Sequence, residues 1–324
     1  MSGVHLLLPV ADTTLYKRVL KLMGNRFEFS IAHDDPAFAE TCLDAAIAEV
    51  QRLEKLLTTF SETSQTAQIN AMAGIEPVKV YQEVFDLIAR SIRISELTQG
   101  AFDITYGSVD KRLWNFDTSL TALPDLQIAR QAVKLVNFRN ITLDAENHTV
   151  FLKEKGMRIG FGGIGKGFAA EKAKAVLVKM GIKSGVVNAA GDLCVWGNQP
   201  NGQPWTIGIA DPNAIHLPFS SFQLTNAAVA TSGDYEKFVM IGGKRYSHTI
   251  NPRTGLPVTG LKSVTVICPN AELADAMATP LLVLGRKNGL ELINQMRQIA
   301  CVYIDDKDRV FTSANITVNL PETK

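Results

Sequence analysis

Tyr246-Ser-His-Thr-Ile-Asn-Pro-Arg-Thr-Gly255-Leu-Pro257 is followed closely by Pro269-Asn-Ala-Glu-Leu-Ala-Asp275-Ala-Met-Ala-Thr279-Pro280. Residues 244–250 and 262–268 read as strands on either side of the stiff Asn251–Pro257 turn, and a helix follows over about 271–284. Two strands in succession ahead of a helix do not make a βαβ unit. The rest of the chain keeps this irregular order, which predicts an α+β fold with mixed or antiparallel sheets and packed helices rather than a doubly wound sheet.

Toward the N-terminus, strands are expected at 185–189, 192–196, 205–210, 221–224, 227–231 and 236–241, with Gly242-Gly243 as a hairpin turn. Arg158-Ile-Gly-Phe-Gly-Gly-Ile-Gly-Lys-Gly167 opens a helix to about Met180. A helix at about 125–137 precedes short strands near 140–144 and 149–153, and Trp114-Asn-Phe116 leads into a loop over 117–124. The 82–98 segment carries a helical stripe of Phe85, Ile88, Ile92 and Ser95, ended by Gln99-Gly-Ala-Phe-Asp103. A longer helix runs from Pro36 to Leu57, with Cys42, Ala46, Val50, Leu53 and Leu57 at three- to four-residue spacing. Polar residues 58–67 separate the two; within them Phe60 reads first as a loop anchor and second as a surface for a flat ligand. Arg26–Ile31 alternates as a first strand, behind a tail over residues 1–20. Beyond the central stretch come a helix at 286–297 and strands at 299–304 and 309–313. Residues 21–324 are expected to form one domain, with a division into two lobes allowed.

Of the 324 residues, 46% are hydrophobic and 20% charged, enough for a packed core. The net charge of +1, without a basic block, speaks against nucleic acid. Cys42, Cys194, Cys268 and Cys301 have no paired metal-ligand spacing and read as buried thiols. The apolar run Val4–Ala11 follows no basic residue, and no stretch has the length of a membrane span, so a cytoplasmic protein without stable membrane insertion is expected, as a monomer or weak homodimer.

Asp275 and Thr279 stand four residues apart and share a helix face. Small neighbours Ala274, Ala276 and Ala278 admit another backbone. Pro280 disfavours helical geometry at Thr279 and cannot donate to the Ala276 carbonyl. A carboxylate, a hydroxyl and freed carbonyls are hard ligands suited to Mg²⁺, although an exposed Asp and a capping Thr fit the same spacing. The glycines from Gly160 to Gly167 fit a phosphate cradle, with Lys166 adding charge, or a tight strand-to-helix turn. His248 is a candidate base and Arg253 a candidate phosphate ligand, or both serve local structure. Asp103 reads as a ligand contact or a helix stop. Ala230–Tyr235 and Asn188–Asp192 fit site rims or plain turns.

Met23-Gly24, Gly100–Asp103, Gly162–Gly167, His248–Gly255 with Pro257, and Ala274–Thr279 occur in one order that resembles the ApbE family, the FAD:protein FMN transferases. The resemblance spans about Met23 to Ile304. It implies a T-fold-like architecture and Mg²⁺-dependent transfer of FMN from FAD to a Thr or Ser hydroxyl of an acceptor flavoprotein, through a phosphoester and with release of AMP. By resemblance, Asp275, Thr279 and the Gly163 and Ala278 carbonyls hold the metal. Met23, Phe60, Ala101, Phe102, Asp103, Lys166 and Thr249 contact FAD, with Arg253 as a further phosphate contact. His248 is the expected base. Gly160 stands where the family usually has Asp, and Gly165 where it often has Ala. A FAD pyrophosphatase and a noncatalytic flavin binder are the alternative activities.

Overall fold

Asp35 starts the first long helix. Its carboxylate accepts from the Ala37 and Phe38 amides, and Pro36 needs no amide partner there. The helix buries Cys42, Ala46, Val50, Leu53 and Leu57 on the side the spacing predicts, and it ends where Thr58 turns extended.

The computed structural model describes residues 13–110, 114, 122–211, 214–233 and 238–317. In chain order the elements are β1 (Thr14–Leu22), β2 (Asn25–His33), α1 (Pro36–Leu57), α2 (Gln65–Ala71), β3 (Val78–Lys79) and α3 (Gln82–Leu97). Then come α4 (Leu126–Ala132), β4 (Ile141–Asp144), β5 (Thr149–Leu152), α5 (Gly165–Lys179), β6 (Gly185–Ala189) and β7 (Asp192–Trp196). The last are β8 (Trp205–Asp211), β9 (Ala214–Leu224), β10 (Ala227–Gly233), β11 (Phe238–Ile241), β12 (Lys244–Ser247), β13 (Leu261–Cys268), α6 (Ala271–Ile293), β14 (Ala300–Asp305) and β15 (Val310–Thr312). The run Val4–Ala11, Asn115-Phe116, residues 117–121 of the expected loop, the Asp234–Tyr235 end of the polar turn and residues 236–237 of the expected 236–241 strand lie outside the described residues.

Eight strands form one antiparallel sheet in the order β1-β2-β6-β7-β10-β13-β14-β15. Helices α1, α5 and α6 pack together on one face. On the other face, Trp205 and Ile207 of β8 and Phe222 and Leu224 of β9 meet Leu193, Val195, Val229 and Ile267 of the large sheet. This is the expected α+β arrangement. Among the described residues, no helix is long and apolar enough to cross a membrane.

Three expectations are corrected. Residues 14–20 of the expected tail belong to the fold, because Thr14–Leu22 pairs along its length with β2. It is an edge strand whose Leu15 and Val19 stay half-exposed, so no buried alternation marks it. Helix α2 lies inside the polar stretch: Ser64 caps it, and buried Thr66 donates to the Leu57 carbonyl at 3.0 Å. Finally, Thr279 remains helical, and the only non-helical residue inside α6 is Gly285. Leu281 and Leu282 are fully buried, and this packing holds the helix through Pro280.

Helices α5 and α6 touch at Gly167. A Cβ there would lie 2.1 Å from the Ala271 carbonyl oxygen. Across the same contact Glu171 accepts from the Ala271 amide at 2.8 Å, capping α6 from its neighbour. Gly167→Ala is expected to cost about 1–3 kcal/mol through overpacking. Gly162→Ala, whose Cβ meets nothing within 4 Å, should be near neutral; urea denaturation of the two variants checks the contrast.

Candidate active site

The site lies at one end of the large sheet. The β1–β2 turn places Met23 and Gly24 at φ 49° and 75°. The β6–β7 turn beside it carries Ala190 and Gly191 at 56° and 97°, and Ala190 donates to the Arg26 carbonyl. These turns face the start of α5, where a Cβ on Gly165 would lie 3.7 Å from Met23 Cε. A Cβ on Gly163 would lie 3.6 Å from the Phe102 ring. Asn70 of α2 fixes the segment leading into this turn, accepting from the Ile159 amide and donating to its carbonyl.

Asp275 is buried against this turn. Its Oδ2 accepts from the Gly167 amide at 2.9 Å, and its Oδ1 is 3.4 Å from Lys166 Nζ. The Lys166 ammonium makes a closer ion pair with Asp192 Oδ2. Four residues along α6, Thr279 Oγ1 is 2.9 Å from the Ser232 hydroxyl of β10. Burial opposes the charge on Lys166, but Asp275 and Asp192 outweigh it and hold the ammonium above its ordinary pKa. Burial and the charge of Asp275 push Asp192 up to about 7, against the pull of Lys166. Sequence reading leaves Asp192 and Ser232 each in a polar turn that fits a site rim or a plain turn, and gives neither side chain a role of its own. Their signal was weak: both meet their partners through sheet register, far from them in sequence.

The glycine run is a turn more than a cradle. Its Gly160, Gly165 and Gly167 amides donate to the Ile104 carbonyl, the Phe161 carbonyl and Asp275, so these three are spent within the protein. Lys166 is the charge that this segment offers. Phe60 is 98% exposed, which rules out the anchoring reading and leaves the ring open to a ligand. Its neighbour Thr59 reaches the same turn, since a Cβ on Gly160 would lie 3.9 Å from Thr59 Cγ2.

Other candidates gather around the end of α3. Ala101, Phe102 and Asp103 are all buried. Asp103 Oδ1 accepts from the Thr105 amide and hydroxyl, and Oδ2 from the Phe138 amide. Burial raises the Asp103 pKa against these bonds. Arg253 donates to the Thr98 and Gln99 carbonyls, which closes the end of α3. The Thr249 amide donates to Ser247 Oγ and its carbonyl accepts from Val258, bracing the turn. His248 follows β12 and is half-buried. A surface cavity of about 560 Å³ lies elsewhere, between Arg90 and Arg93 of α3, Phe168 and Lys172 of α5, and Glu272 and Leu273 of α6. Of its three cations, Arg90 is already paired with Glu272, and none of the site residues named in this subsection lines it.

Among the described residues, no three His, Cys, Asp or Glu side chains converge as a metal site. A cation there would therefore depend on fewer than three such groups, completed by neutral oxygens. The donor chemistry fits a hard divalent ion: Asp275 has lone pairs beyond its bond to Gly167, Thr279 can donate to Ser232 and keep its own lone pairs, and Pro280 offers no amide to the Ala276 carbonyl.

The ApbE family model matches residues 23–303. The chain belongs to the ApbE family. A FAD:protein FMN transferase of Treponema pallidum is 30% identical over 317 residues, covering 93% of this chain and 87% of the relative. A FAD:protein FMN transferase of Klebsiella pneumoniae is 29% identical and covers 94% of each. The ApbE protein of Thermotoga maritima superposes with a TM-score of 0.82 at 28% identity, covering 93% of this chain and 97% of that one. The Pseudomonas stutzeri flavinyl transferase ApbE in its apo form gives 0.82 at 27% identity, covering 94% and 96%. The T-fold-like α+β architecture is thus shared with solved members of the family.

Asp103→Ala would leave two buried amides and a hydroxyl without their acceptor. The expected loss is at least ~2 kcal/mol of stability, read by chemical denaturation.

Proposed function

We propose that this protein transfers the FMN moiety of FAD to a Thr or Ser hydroxyl of an acceptor flavoprotein and releases AMP. The observation that carries the reading is the buried Asp275 centre, where a carboxylate, the Lys166 ammonium and the Thr279 hydroxyl stand beside the Met23 turn. The relatives named as FAD:protein FMN transferases support the same reaction.

Asp275 and Thr279, with the Gly163 and Ala278 carbonyls, would hold Mg²⁺. The ion, when bound, counters the negative charge of the FAD diphosphate. Lys166 supplies a further positive charge to the phosphates. Phe60 offers its open face to a flat ring of FAD, and Met23 and Phe102 border the same turn. The acceptor hydroxyl is a weak nucleophile, so it must lose its proton as it attacks. His248 takes that proton. The new bond joins the acceptor oxygen to the FMN phosphorus. The anhydride P–O bond breaks, and its electron pair leaves with AMP. Arg253 and Asp103 support the site by closing α3 and holding the Phe138 turn, and Thr249 braces the segment that carries His248.

The acceptor is a separate protein, because the flavinylation motif of the family's partners (Asp, two variable residues, Ser or Thr, Gly, Ala, Ser or Thr) is absent from this sequence. Mass spectrometry of a motif-bearing acceptor domain, incubated with the protein, FAD and Mg²⁺, should show one FMN phosphoryl adduct. Asp275→Ala should abolish it, and His248→Ala should slow it by about 100-fold or more. Free FMN and AMP without an adduct would identify a hydrolase instead.

Phe60→Ala should weaken FAD binding about fivefold to tenfold, the worth of a stacked aromatic contact. The melting temperature should hold, since the ring packs on little of its own protein. Fluorescence titration and a thermal melt test both halves of that expectation.

A further inference from the structure

We propose that Asp192 is a positioning residue for the cation site: it seats the Lys166 ammonium and keeps it from occupying Asp275. The proposal rests on the reading of Asp275 and Thr279 as cation ligands. Lys166 Nζ stands between two carboxylates, paired closely with Asp192 and 3.4 Å from Asp275 Oδ1. Both carboxylate side chains are 6% exposed. Asp275 is fixed by the Gly167 amide. Asp192 begins β7 directly after the Ala190-Gly191 turn, which Asn188 braces by accepting from the Gly191 amide at 2.8 Å.

The ammonium is therefore the movable member of the three. It rides on a flexible four-carbon stem and has two seats. A divalent cation at Asp275 and an ammonium on the same carboxylate would repel each other. Asp192 supplies the second seat, so both positive charges can face a substrate diphosphate together. Take Asp192 away, and Asp275 becomes the carboxylate within reach of Lys166. The lysine then competes with the ion.

Mn²⁺ binding to the full chain without FAD, followed by electron paramagnetic resonance and calorimetry, tests this separately from turnover. Asp192→Asn should weaken Mn²⁺ binding about tenfold or more, the scale expected for a close like-charge neighbour in a partly buried site. The double variant Asp192→Asn with Lys166→Met has the wild-type net charge and lacks the competitor, so it should return to within about threefold of wild type. Lys166→Met alone should bind Mn²⁺ more tightly than wild type; it reads the same competition should Asp192→Asn fail to fold by circular dichroism. Unchanged affinity in Asp192→Asn would overturn the role of Asp192 and leave the cation reading intact. A double variant as weak as Asp192→Asn would also overturn it, making Asp192 a ligand itself. Wild-type protein that binds no Mn²⁺ would remove the cation reading and this proposal with it.

Discussion

A backbone amide donating to a buried carboxylate holds this molecule's working end together. Gly167 donates to Asp275 where α5 and α6 come closest. The contact needs a residue without a side chain, since a Cβ on Gly167 would stand 2.8 Å from Asp275 Cβ as well as against the Ala271 carbonyl. Burying a carboxylate costs several kcal/mol unless hydrogen bonds and opposite charge offset it. Here the amide and Lys166 provide both. The offset requires α5 to begin at this place, which in turn fixes the glycine turn before it and the Met23 turn above it.

The charges at that point do not balance. Two carboxylates share one ammonium, in a place where burial already disfavours negative charge. The strain shows in Asp192, which burial and Asp275 raise to about 7. A fold selected for stability alone would do better with apolar packing at such a point. The cation proposed for Asp275 would offset that surplus negative charge.

Sequence pattern was most informative where one element decides its own form. Helix α1 begins and ends as read because Asp35, Pro36 and an unbroken apolar stripe agree. Strand β1 escaped notice because an edge strand needs only one neighbour: Lys17 and Arg18 sit amid its apolar residues, and half of it faces water. Helix α2 was hidden by polar composition, though its polar residues work as structure, Ser64 as cap, Thr66 as a buried donor and Asn70 as a clamp on Ile159. At Thr279 the local rule against helix before proline lost to the burial of the next two leucines.

The site divides along the same line. Asp275 and Thr279 could be paired from their spacing, because a helix puts residues four apart on one face. Asp192 could not be joined to them this way. Its meeting with Lys166 depends on β6 and β7 pairing from Ala189↔Asp192 to Gly185↔Trp196, and on α5 crossing above them. Arg253 shows the opposite limit. Its residue type suggested a phosphate, yet Gln99 at φ 52° ends α3, and the guanidinium donates to the Thr98 and Gln99 carbonyls there. Residue chemistry names what a side chain can hold; the backbone groups within its reach decide what it does hold. By that measure Lys166, paired with Asp192 and 3.4 Å from Asp275, is the charge that the glycine segment keeps at the buried centre.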